Sequence, residues 1–257
     1  MAYKIVFFDV DGTITHHENG TISEPTKKAV KMLLNKGITV VAATGRPLSM
    51  CGELMEMGIE TFITANGGYV KHKDEVIHKV PLDKTIVKEV AAFAEKEKHA
   101  LSFYTEDFKM NGIQNASILS SLKETLSLTE YPGVFPDPCL EEVFLLCLFA
   151  EETEADLYRE AFPHLTFKRW HPYVLNVLDQ DVSKSLAILK TLEYFGCEPA
   201  DAAAFGDGDN DIDMIELAGL GIAMGNGSEG VKKAADFVTK RSGDDGVVFA
   251  LKKFGII

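Results

Sequence analysis

Long apolar runs are missing from this chain. The longest, from Val143 to Ala150, is far too short to cross a bilayer, so we expect no membrane as a partner. At the N-terminus, Lys4 and then Asp9 and Asp11 interrupt the apolar stretch too early for a secretory signal. Internal repeats and low-complexity segments are missing as well. These absences favour an ordinary globular protein.

Basic residues are scarce relative to acidic ones. The 257 residues include 26 Lys and Arg against 39 Asp and Glu, which gives a formal net charge of −13. Such a balance argues against a nucleic-acid or anionic-membrane surface, and an anionic substrate would need a local cation. With 46% hydrophobic residues the chain can build a full core, in one large or two smaller domains. The oligomeric state stays open.

Cysteine pairs of the C-x-x-C type are absent too. The four cysteines are widely spaced, and three of them lie in apolar surroundings: Cys51, Cys139, Cys147 and Cys197. We expect reduced, structural thiols, which are typical of a cytoplasmic protein. Cys147, between Val, Phe and Leu residues, is predicted to be a core residue.

Two carboxylates stand where the first apolar run ends. Ile5 to Phe8 has the pattern of a strand buried on both faces of a parallel sheet, and Asp9-Val10-Asp11-Gly12-Thr13 follows it. Gly12 allows a sharp turn after the acids. Side chains at i and i+2 of a strand point the same way, so the pair indicates either a bound cation or a protonated acid. Solvated turn acids remain the alternative.

Strands and helices alternate in the first and last thirds of the chain, as they do in α/β folds. The middle reads as an α+β segment. We therefore predict a core at 1–82 and 179–257 with a second domain inserted at 83–178. Predicted strands are 5–8, 38–43, 61–65, 101–104, 142–149, 165–169, 174–178, 202–205 and 221–223. Predicted helices are 24–36, 47–57, 83–98, 117–126, 153–162, 184–195, 211–217, 228–235 and 246–254.

A second acidic turn, Gly206-Asp207-Gly208-Asp209-Asn210-Asp211, follows the apolar strand at 202–205. Parallel strands end at one edge of their sheet, so this turn and the Asp9 turn can converge. Together they would form an oxygen-ligand site of the kind that Mg²⁺ prefers. A calcium-binding EF-hand is the competing interpretation, but the later Glu and the helix–loop–helix pattern that it needs are missing.

Two weaker signals fit the same edge. Thr44 ends the second strand, where its hydroxyl and the Gly45 backbone N–H could hold a phosphate oxygen, although a plain helix N-cap is the commoner role of such a residue. Lys184 begins a helix and could supply the cation between an acidic nucleophile and a phosphate. Its alternative is a solvated surface charge.

These four segments, in this order, closely resemble the haloacid dehalogenase-like (HAD) hydrolase superfamily: Asp9-Val10-Asp11-Gly12-Thr13, Thr44-Gly45-Arg46, Lys184 and Gly206 to Asp211. The chain resembles the Cof-type phosphatases in particular, which carry an inserted α+β cap of the C2B type between the second and third segments. The resemblance covers the whole chain. It implies a Rossmann-like parallel-sheet core and a substrate-specificity cap. Ser185 departs from the pattern, since many relatives have Gly after the lysine.

The resemblance also implies residue roles. Asp9 would attack phosphorus, and Asp11 would act as general acid and then as general base. Mg²⁺ would be held by the Asp9 carboxylate, the Asp11 backbone carbonyl and Asp207, with Asp211 acting through a water or a second layer of contacts. The transferred phosphoryl oxygens would be bound by Thr44, Gly45, Lys184 and Asn210.

Substrate contacts carry no motif, so we name candidates only. On the core they are Arg46, Asn66 and Gly67, and in the inserted domain, between two strands, they are Trp170, His171 and Tyr173. An aromatic packing patch and a helix-end contact are the alternatives for Trp170 and Arg46. His16 and His17 lack ligand spacing and are predicted to lie in a solvated loop.

The resulting hypothesis is a Mg²⁺-dependent phosphatase that hydrolyses small phosphorylated metabolites, with sugar phosphates as the expected class, through an aspartyl-phosphate. A phosphomutase using the same intermediate is the nearest alternative. A phospho-ligand sensor that has kept the fold without turnover is another. A P-type ion pump shares the nucleophile but needs membrane spans.

Overall fold

The computed structural model describes residues 3–126, 128–135, 137, 140–179 and 182–257. It divides the chain into two compact units. The first comprises the residues up to Arg46, Cys51–Lys79 and Ser183–Ile257, and the second comprises Pro47–Met50 and Val80–Val182. The predicted insertion at 83–178 lies within the second unit.

The secondary-structure elements are numbered here in chain order. The strands are β1 (Ile5–Phe8), β2 (Thr39–Ala43), β3 (Thr61–Thr64), β4 (Tyr69–His72), β5 (Glu75–Lys79), β6 (Ala100–Tyr104), β7 (Phe108–Met110), β8 (Leu145–Phe149), β9 (Thr166–His171), β10 (Val174–Leu178), β11 (Ala202–Gly206), β12 (Leu220–Ala223) and β13 (Phe237–Val238). The helices are α1 (Glu24–Asn35), α2 (Gly52–Glu56), α3 (Lys84–Glu97), α4 (Ala116–Leu126), α5 (Glu152–Ala161), α6 (Lys184–Phe195), α7 (Ile212–Leu217), α8 (Glu229–Ala234) and α9 (Gly246–Lys253).

The first unit is built on one sheet with the strand order β13-β12-β11-β1-β2-β3-β4-β5. The strands from β13 to β3 run parallel, and β4 and β5 are antiparallel additions at one edge. Ile5 and Phe7 of the fully buried β1 pack with residues of α6, α7 and α8 in one hydrophobic cluster. Because β1 lies between β11 and β2, the turns that follow these three strands meet at one edge of the sheet.

The second unit has an antiparallel sheet with the order β7-β6-β8-β10-β9. Its apolar core joins Val87, Val90 and Ala94 of α3 and Tyr158 of α5 to buried residues of the sheet. The predicted combination of a parallel-sheet α/β core and an α+β segment is therefore confirmed. Cys147 of β8 is buried, as expected, and burial raises the pKa of its thiol to about 12.

Several predicted boundaries are wrong. The hairpin of β4 and β5 and the short strand β7 were not predicted. The strand predicted for 142–149 begins only at Leu145, and the helix predicted for 47–57 is a single turn, Leu48–Met50, followed by the separate helix α2. The break falls at Cys51, whose backbone is not helical and precedes the first turn of α2.

In the described part of the chain, no helix combines the length and the apolarity that a bilayer crossing requires. Three of the cysteines lie there, Cys51, Cys147 and Cys197, and all three are thiols rather than halves of a disulfide. Cys139 lies outside the described residues.

Candidate active site

Asp9 stands at the end of β1, next to the second acidic turn. Its backbone N–H donates to the carbonyl of Phe205 in β11 at 2.8 Å, which continues the pairing of the two strands by one residue. The residue is only 6% exposed. The expected convergence of the two acidic turns is confirmed, although Thr13 and Asp207 are 194 positions apart in sequence.

Lys184 is the buried cation of this edge. It is the first residue of α6, behind the cap Ser183, and it is 2% exposed. Its ammonium donates to Asp9 Oδ1 at 2.7 Å and to Asp211 Oδ1 at 2.5 Å. A solvated lysine is therefore excluded, and α6 holds its positive charge between two buried carboxylates. Ser185 fits the start of the helix, where its N–H donates to Asp213 Oδ2 at 3.3 Å.

The pKa values of this trio follow from burial and from the mutual charges. Burial alone would lower the pKa of Lys184, but Asp211 and Asp9 raise it above its usual value, so the lysine stays charged. Burial raises the pKa of Asp9 well above its usual value, and Asp211 adds to this while Lys184 opposes it. An additional cation close to Asp9 would therefore stabilise the charged form of its carboxylate.

Asp211 organises the second acidic turn. Its Oδ2 accepts the backbone N–H groups of Asp207 at 3.0 Å and of Gly208 at 2.9 Å, and its Oδ1 accepts from Lys184. A side chain on Gly206 would meet the Asp211 side chain at 2.5 Å, so glycine is needed there. Since Asp211 is fully buried and already accepts three hydrogen bonds, one of them from the Lys184 ammonium, it suits a supporting role better than direct metal ligation.

Asp207 faces the Asp9 turn from the other side. Thr13 Oγ1 donates to Asp207 Oδ1 at 3.4 Å, and the Asn226 side-chain amide donates to Asp207 Oδ2 at 3.1 Å. Burial, then the charge of Asp211, raise the pKa of Asp207 to about 6, although Lys184 and the Thr13 hydroxyl oppose the shift. A Cβ on Gly12 would overlap Asp207 Oδ2, and Gly12 also has a positive φ of 84°. Glycine therefore lets the two acidic turns approach.

The donor set fits a hard divalent cation. Asp9, Asp207 and Asp211 each have a carboxylate oxygen within 4.8 Å of those of the other two. All three donors are carboxylate oxygens, the chemistry that Mg²⁺ prefers over that of softer ligands. With Asp211 occupied by Lys184 and backbone N–H groups, Asp9 and Asp207 are the side chains best suited to hold the ion.

The turn after β2 and the turn after β3 are hydrogen-bonded to each other. The N–H of Asn66 donates to the Thr44 carbonyl at 3.1 Å, and that of Ala65 donates to the Arg46 carbonyl at 3.2 Å. Thr44 is buried, and its hydroxyl accepts the Arg46 N–H at 3.0 Å. A Cβ on Gly45 would lie 3.2 Å from the Asn66 amide.

Asn66 is held in a strained backbone. Ala65, Asn66 and Gly67 have consecutive positive φ angles of 50°, 55° and 104°, which a non-glycine residue adopts only at a cost. The Asn66 carbonyl oxygen of the side chain accepts from Asn210 Nδ2 at 3.3 Å. In this backbone conformation, Asn66, a predicted substrate contact, is hydrogen-bonded to Asn210, a predicted phosphate contact.

Arg46 lies on Asp11. Its Nε donates to Asp11 Oδ2 at 3.0 Å and its Nη2 donates to Asp11 Oδ1, which makes a two-pronged ion pair. The Asp11 side chain is about half exposed, in contrast to the buried Asp9. The two acids of the first motif therefore lie in different environments.

The predicted substrate contacts of the second unit are hydrogen-bonded to other residues of that unit. Trp170 and His171 are the last residues of β9 rather than part of the connection between strands, because β9 pairs with β10 through His171; only Tyr173 lies in the turn. Trp170 is 47% exposed and its Nε1 donates to Asn176 Oδ1 at 2.7 Å. His171 contacts Glu124 at 3.1 Å and accepts the Tyr173 N–H.

His16 and His17 stack on each other with ring centroids 4.9 Å apart. The His17 Nδ1 lies 3.1 Å from the Ser242 hydroxyl. Neither belongs to a cluster of metal-binding side chains in the described residues. They are not part of the acidic site.

Sequence reasoning missed the roles of Thr13 and Asn226 in contacting Asp207. Thr13 belongs to the first motif, so its position was a usable signal. Asn226 follows β12 in the segment Gly225-Asn226-Gly227, which is typical of an ordinary turn. Only the order of the strands shows that this turn comes to the acidic site.

Comparison with known proteins agrees with this geometry. The profile of the haloacid dehalogenase-like hydrolases matches residues 6–251. The chain is 38% identical to YkrA of Bacillus subtilis (strain 168) over the full length of both proteins. It is 28% identical to 5-amino-6-(5-phospho-D-ribitylamino)uracil phosphatase YitU of the same strain, over 97% of each.

Among solved structures, the HAD subclass IIB sugar phosphatase BT4131 is similar to 99% of this chain and 100% of its own, with a TM-score of 0.85 and 33% identity. The chain belongs to the haloacid dehalogenase-like hydrolase family and is one of its phosphatases. The family expected from the sequence motifs is thereby confirmed.

Proposed function

We propose that this protein is a Mg²⁺-dependent phosphatase that hydrolyses small phosphorylated metabolites, principally sugar phosphates, through an aspartyl-phosphate on Asp9. The observation that carries the proposal is the buried Asp9 carboxylate, 2.7 Å from the Lys184 ammonium and beside Asp207. A carboxylate kept out of water, next to fixed positive charge, can meet a phosphate dianion that would otherwise be repelled.

In the first half-reaction, an Asp9 carboxylate oxygen forms a bond to phosphorus and the ester P–O bond breaks. Asp11 gives its proton to the departing alcohol oxygen. In the second half-reaction, Asp11 takes a proton from the attacking water, and phosphate leaves with Asp9 regenerated. The half-exposed Asp11 side chain supports this role, because it can reach both a leaving group and solvent.

Asp9, the Asp11 backbone carbonyl and Asp207 would hold Mg²⁺, with Asp211 behind them. When bound, the cation would supply positive charge that offsets the negative charges of the Asp9 carboxylate and of the phosphate. Lys184 supplies a second positive charge that is built into the fold. Thr44, Gly45, Lys184 and Asn210 would bind the phosphoryl oxygens, and the contact between Asn210 and Asn66 supports a shared phosphate-side surface.

The proposed substrate class is inferred from the names of similar proteins. BT4131 is described as a sugar phosphatase and YitU as a phosphatase of a phosphoribitylamino-uracil, so both names contain a phosphorylated polyol or sugar. We propose the same class here, with several substrates accepted. Arg46, Asn66 and Gly67 of the first unit, and Trp170, His171 and Tyr173 of the second, are the proposed leaving-group contacts. The half-exposed indole of Trp170 suits the apolar face of a sugar ring.

We propose that residues 83–178 act as the specificity cap of this enzyme and that it works in the cytoplasm, where the thiols of Cys51, Cys147 and Cys197 stay reduced. The net charge of −13 supports a small metabolite as partner, rather than nucleic acid or an anionic membrane.

Turnover of a panel of phosphate esters with Mg²⁺, ranked by kcat/KM, tests the function. We expect inorganic phosphate release from several sugar phosphates and from p-nitrophenyl phosphate, and loss of all of it in Asp9→Asn. Phosphate transfer between sugar hydroxyls that needs a bisphosphate primer would indicate a phosphomutase. Inactivity of the folded wild type on the whole panel would indicate a sensor.

A further inference from the structure

Asn226 connects the two acidic turns through its side-chain amide. Its Nδ2 donates one hydrogen to the Gly12 carbonyl at 2.8 Å and the other to Asp207 Oδ2 at 3.1 Å. Its Oδ1 accepts the backbone N–H of Ser242 at 2.8 Å. We propose that Asn226 is a positioning residue that aims the Asp207 carboxylate at the cation. The proposal rests on the Mg²⁺ dependence proposed above.

The orientation of the Asn226 amide is determined by its partners. Two oxygen acceptors lie on the side of the nitrogen, and an N–H donor lies on the side of the oxygen. A flipped amide would place oxygen against oxygen and N–H against N–H, so all three hydrogen bonds would be lost. Asn226 is therefore a fixed donor toward Asp207.

The carboxylate of Asp207 is consequently held at both oxygens. Asn226 fixes Oδ2, and the Thr13 hydroxyl contacts Oδ1 at 3.4 Å. Both donors are neutral, so they orient the carboxylate without cancelling its charge. A lysine at position 226 would compete with the cation, and an aspartate would repel Asp207. Groups that orient a metal ligand in this way typically change metal affinity about 10–100-fold when they are removed.

The turn that carries Asn226 is seated on the backbone of the acidic turn. The N–H of Ser228 donates to the Asp207 carbonyl at 2.9 Å, and a Cβ on Gly227 would lie 3.0 Å from that same oxygen. On the other side, a Cβ on Gly225 would lie 2.8 Å from the Arg241 nitrogen. Tight packing on both sides leaves the Asn226 side chain little freedom to move away from Asp207.

The test is Mg²⁺ binding by calorimetry, without substrate, to the full chain and to Asn226→Ala. We expect binding about 10-fold or more weaker in the variant. Ser242→Ala is the matched control. It alters the residue whose backbone N–H donates to Asn226 Oδ1 and removes the hydroxyl that accepts the His17 N–H at 3.0 Å, but it leaves the contact between Asn226 and Asp207 intact. Its Mg²⁺ affinity should stay within about twofold of wild type.

Kinetics give a second readout that a merely structural residue would not alter. In Asn226→Ala, raising the Mg²⁺ concentration should restore kcat for p-nitrophenyl phosphate, with KM at saturating Mg²⁺ close to the wild-type value. Unchanged Mg²⁺ affinity in the folded variant would overturn the proposal, while leaving the phosphatase function in place. A wild type that bound no Mg²⁺ would overturn the cofactor assignment and this inference together.

The wild-type protein offers a test if Asn226→Ala does not fold. The side-chain amide resonance of Asn226 should shift when Mg²⁺ is added, and its protons should exchange slowly with water. A resonance that does not respond to Mg²⁺, in a protein that binds the ion, would overturn the proposal.

Discussion

The Arg46 guanidinium donates two parallel hydrogen bonds to the carboxylate of Asp11, from Nε to Oδ2 at 3.0 Å and from Nη2 to Oδ1. Sequence motifs suggested separate roles for these residues, Asp11 in proton transfer and Arg46 in substrate binding. Their pairing couples the roles, because Arg46 fixes the orientation of the Asp11 carboxylate. A planar guanidinium can do this, whereas the ammonium of lysine cannot form the same fork.

Arg46→Lys should therefore impair substrates that need a protonated leaving group. We expect kcat/KM for a sugar phosphate, which reports the steps up to phosphoenzyme formation, to fall by about 10-fold or more, as a fraction of the roughly 100-fold or larger effect of a general acid. The kcat/KM for p-nitrophenyl phosphate should change little, because nitrophenolate leaves without a proton. Steady-state kinetics of both substrates provide the measurement. Equal losses on the two would contradict the role.

Arg159→Ala is the control for this comparison. Arg159 belongs to the second unit, where it forms an ion pair with Asp156 at 2.7 Å. It should leave both rates unchanged. A rise in KM for both substrates in Arg46→Lys would instead assign Arg46 to the phosphate.

The Lys184 ammonium is predicted to stabilise the fold as well as the reaction. Lys184→Met keeps the volume but leaves Asp9 and Asp211 facing each other without a cation, which should lower the free energy of unfolding by about 3–5 kcal/mol. Lys184→Met combined with Asp211→Asn should recover much of the stability and none of the activity. Denaturant unfolding and phosphate release measure the two effects.

Lys190→Ala on the same helix is the matched control. Lys190 is exposed and pairs with Glu193 at 2.9 Å, so its loss should cost no more than about 1 kcal/mol. A Lys184→Met variant as stable as Lys190→Ala would contradict the buried ion trio.

Gly67 is predicted to be essential for the position of Lys184. Its φ is +104°, and a Cβ there would overlap the carbonyl oxygen of Ser183, the cap of α6. Gly67→Ala should lose roughly 1–2 kcal/mol to the backbone conformation and about 1–3 kcal/mol more to the clash. Gly20→Ala has the same sign of φ with no atom within 4 Å, so it should show only the first loss. Equal unfolding free energies for the two variants would contradict the packing of this turn on α6.

The pKa of Asp207 predicts how metal binding depends on pH. Burial and Asp211 raise it to about 6, above the value of about 4 in an unfolded chain. A raised carboxyl pKa means that the metal-free fold loses stability as pH rises from about 4 to about 6 and does not regain it above. Asp9, whose pKa is also raised, acts in the same direction.

Mg²⁺ needs these carboxylates deprotonated, so it should stabilise the protein more at about pH 7 than at about pH 5. Thermal unfolding with EDTA and with Mg²⁺ at both pH values measures this. The increase in Tm should grow with pH in the wild type and be small at both values in Asp207→Asn. An increase in the wild type that did not change with pH would contradict the assignment of Asp207 to the metal.

The active-site turns could be predicted from the sequence because a local pattern, an apolar strand followed by acids, combines with a general rule about parallel sheets. The runs before Asp9 and Asp207 were recognisable as buried strands, and parallel strands end at one edge, so the convergence of the two turns could be predicted. Lys184 could be placed at a helix start from the apolar residues behind it. Its burial could not, because a lone lysine has no local signal for the carboxylates that surround it.

The β4–β5 hairpin and the role of Asn226 were not predicted, because the local sequence gives no signal for them or an unusual one. The hairpin of β4 and β5 turns at Lys73 and Asp74, and Lys73 takes a positive φ of 52° where glycine or asparagine is usual. Asn226 sits between two glycines, and its role depends on which strand lies beside β12. Such information arises from the pairing of distant segments, which composition and spacing do not encode.

Phosphorylation of Asp9 itself gives the most direct test. Radiolabelled p-nitrophenyl phosphate is mixed with Asp11→Asn and Mg²⁺, and the reaction is quenched in acid after one turnover; this variant can form the phosphoenzyme with a good leaving group but hydrolyses it slowly. We predict an acid-stable, base-labile label on the peptide that contains Asp9. We predict no label in the double variant that combines Asp11→Asn with Asp9→Asn. Nitrophenol release without a labelled protein, or a label on another residue, would contradict Asp9 as the nucleophile.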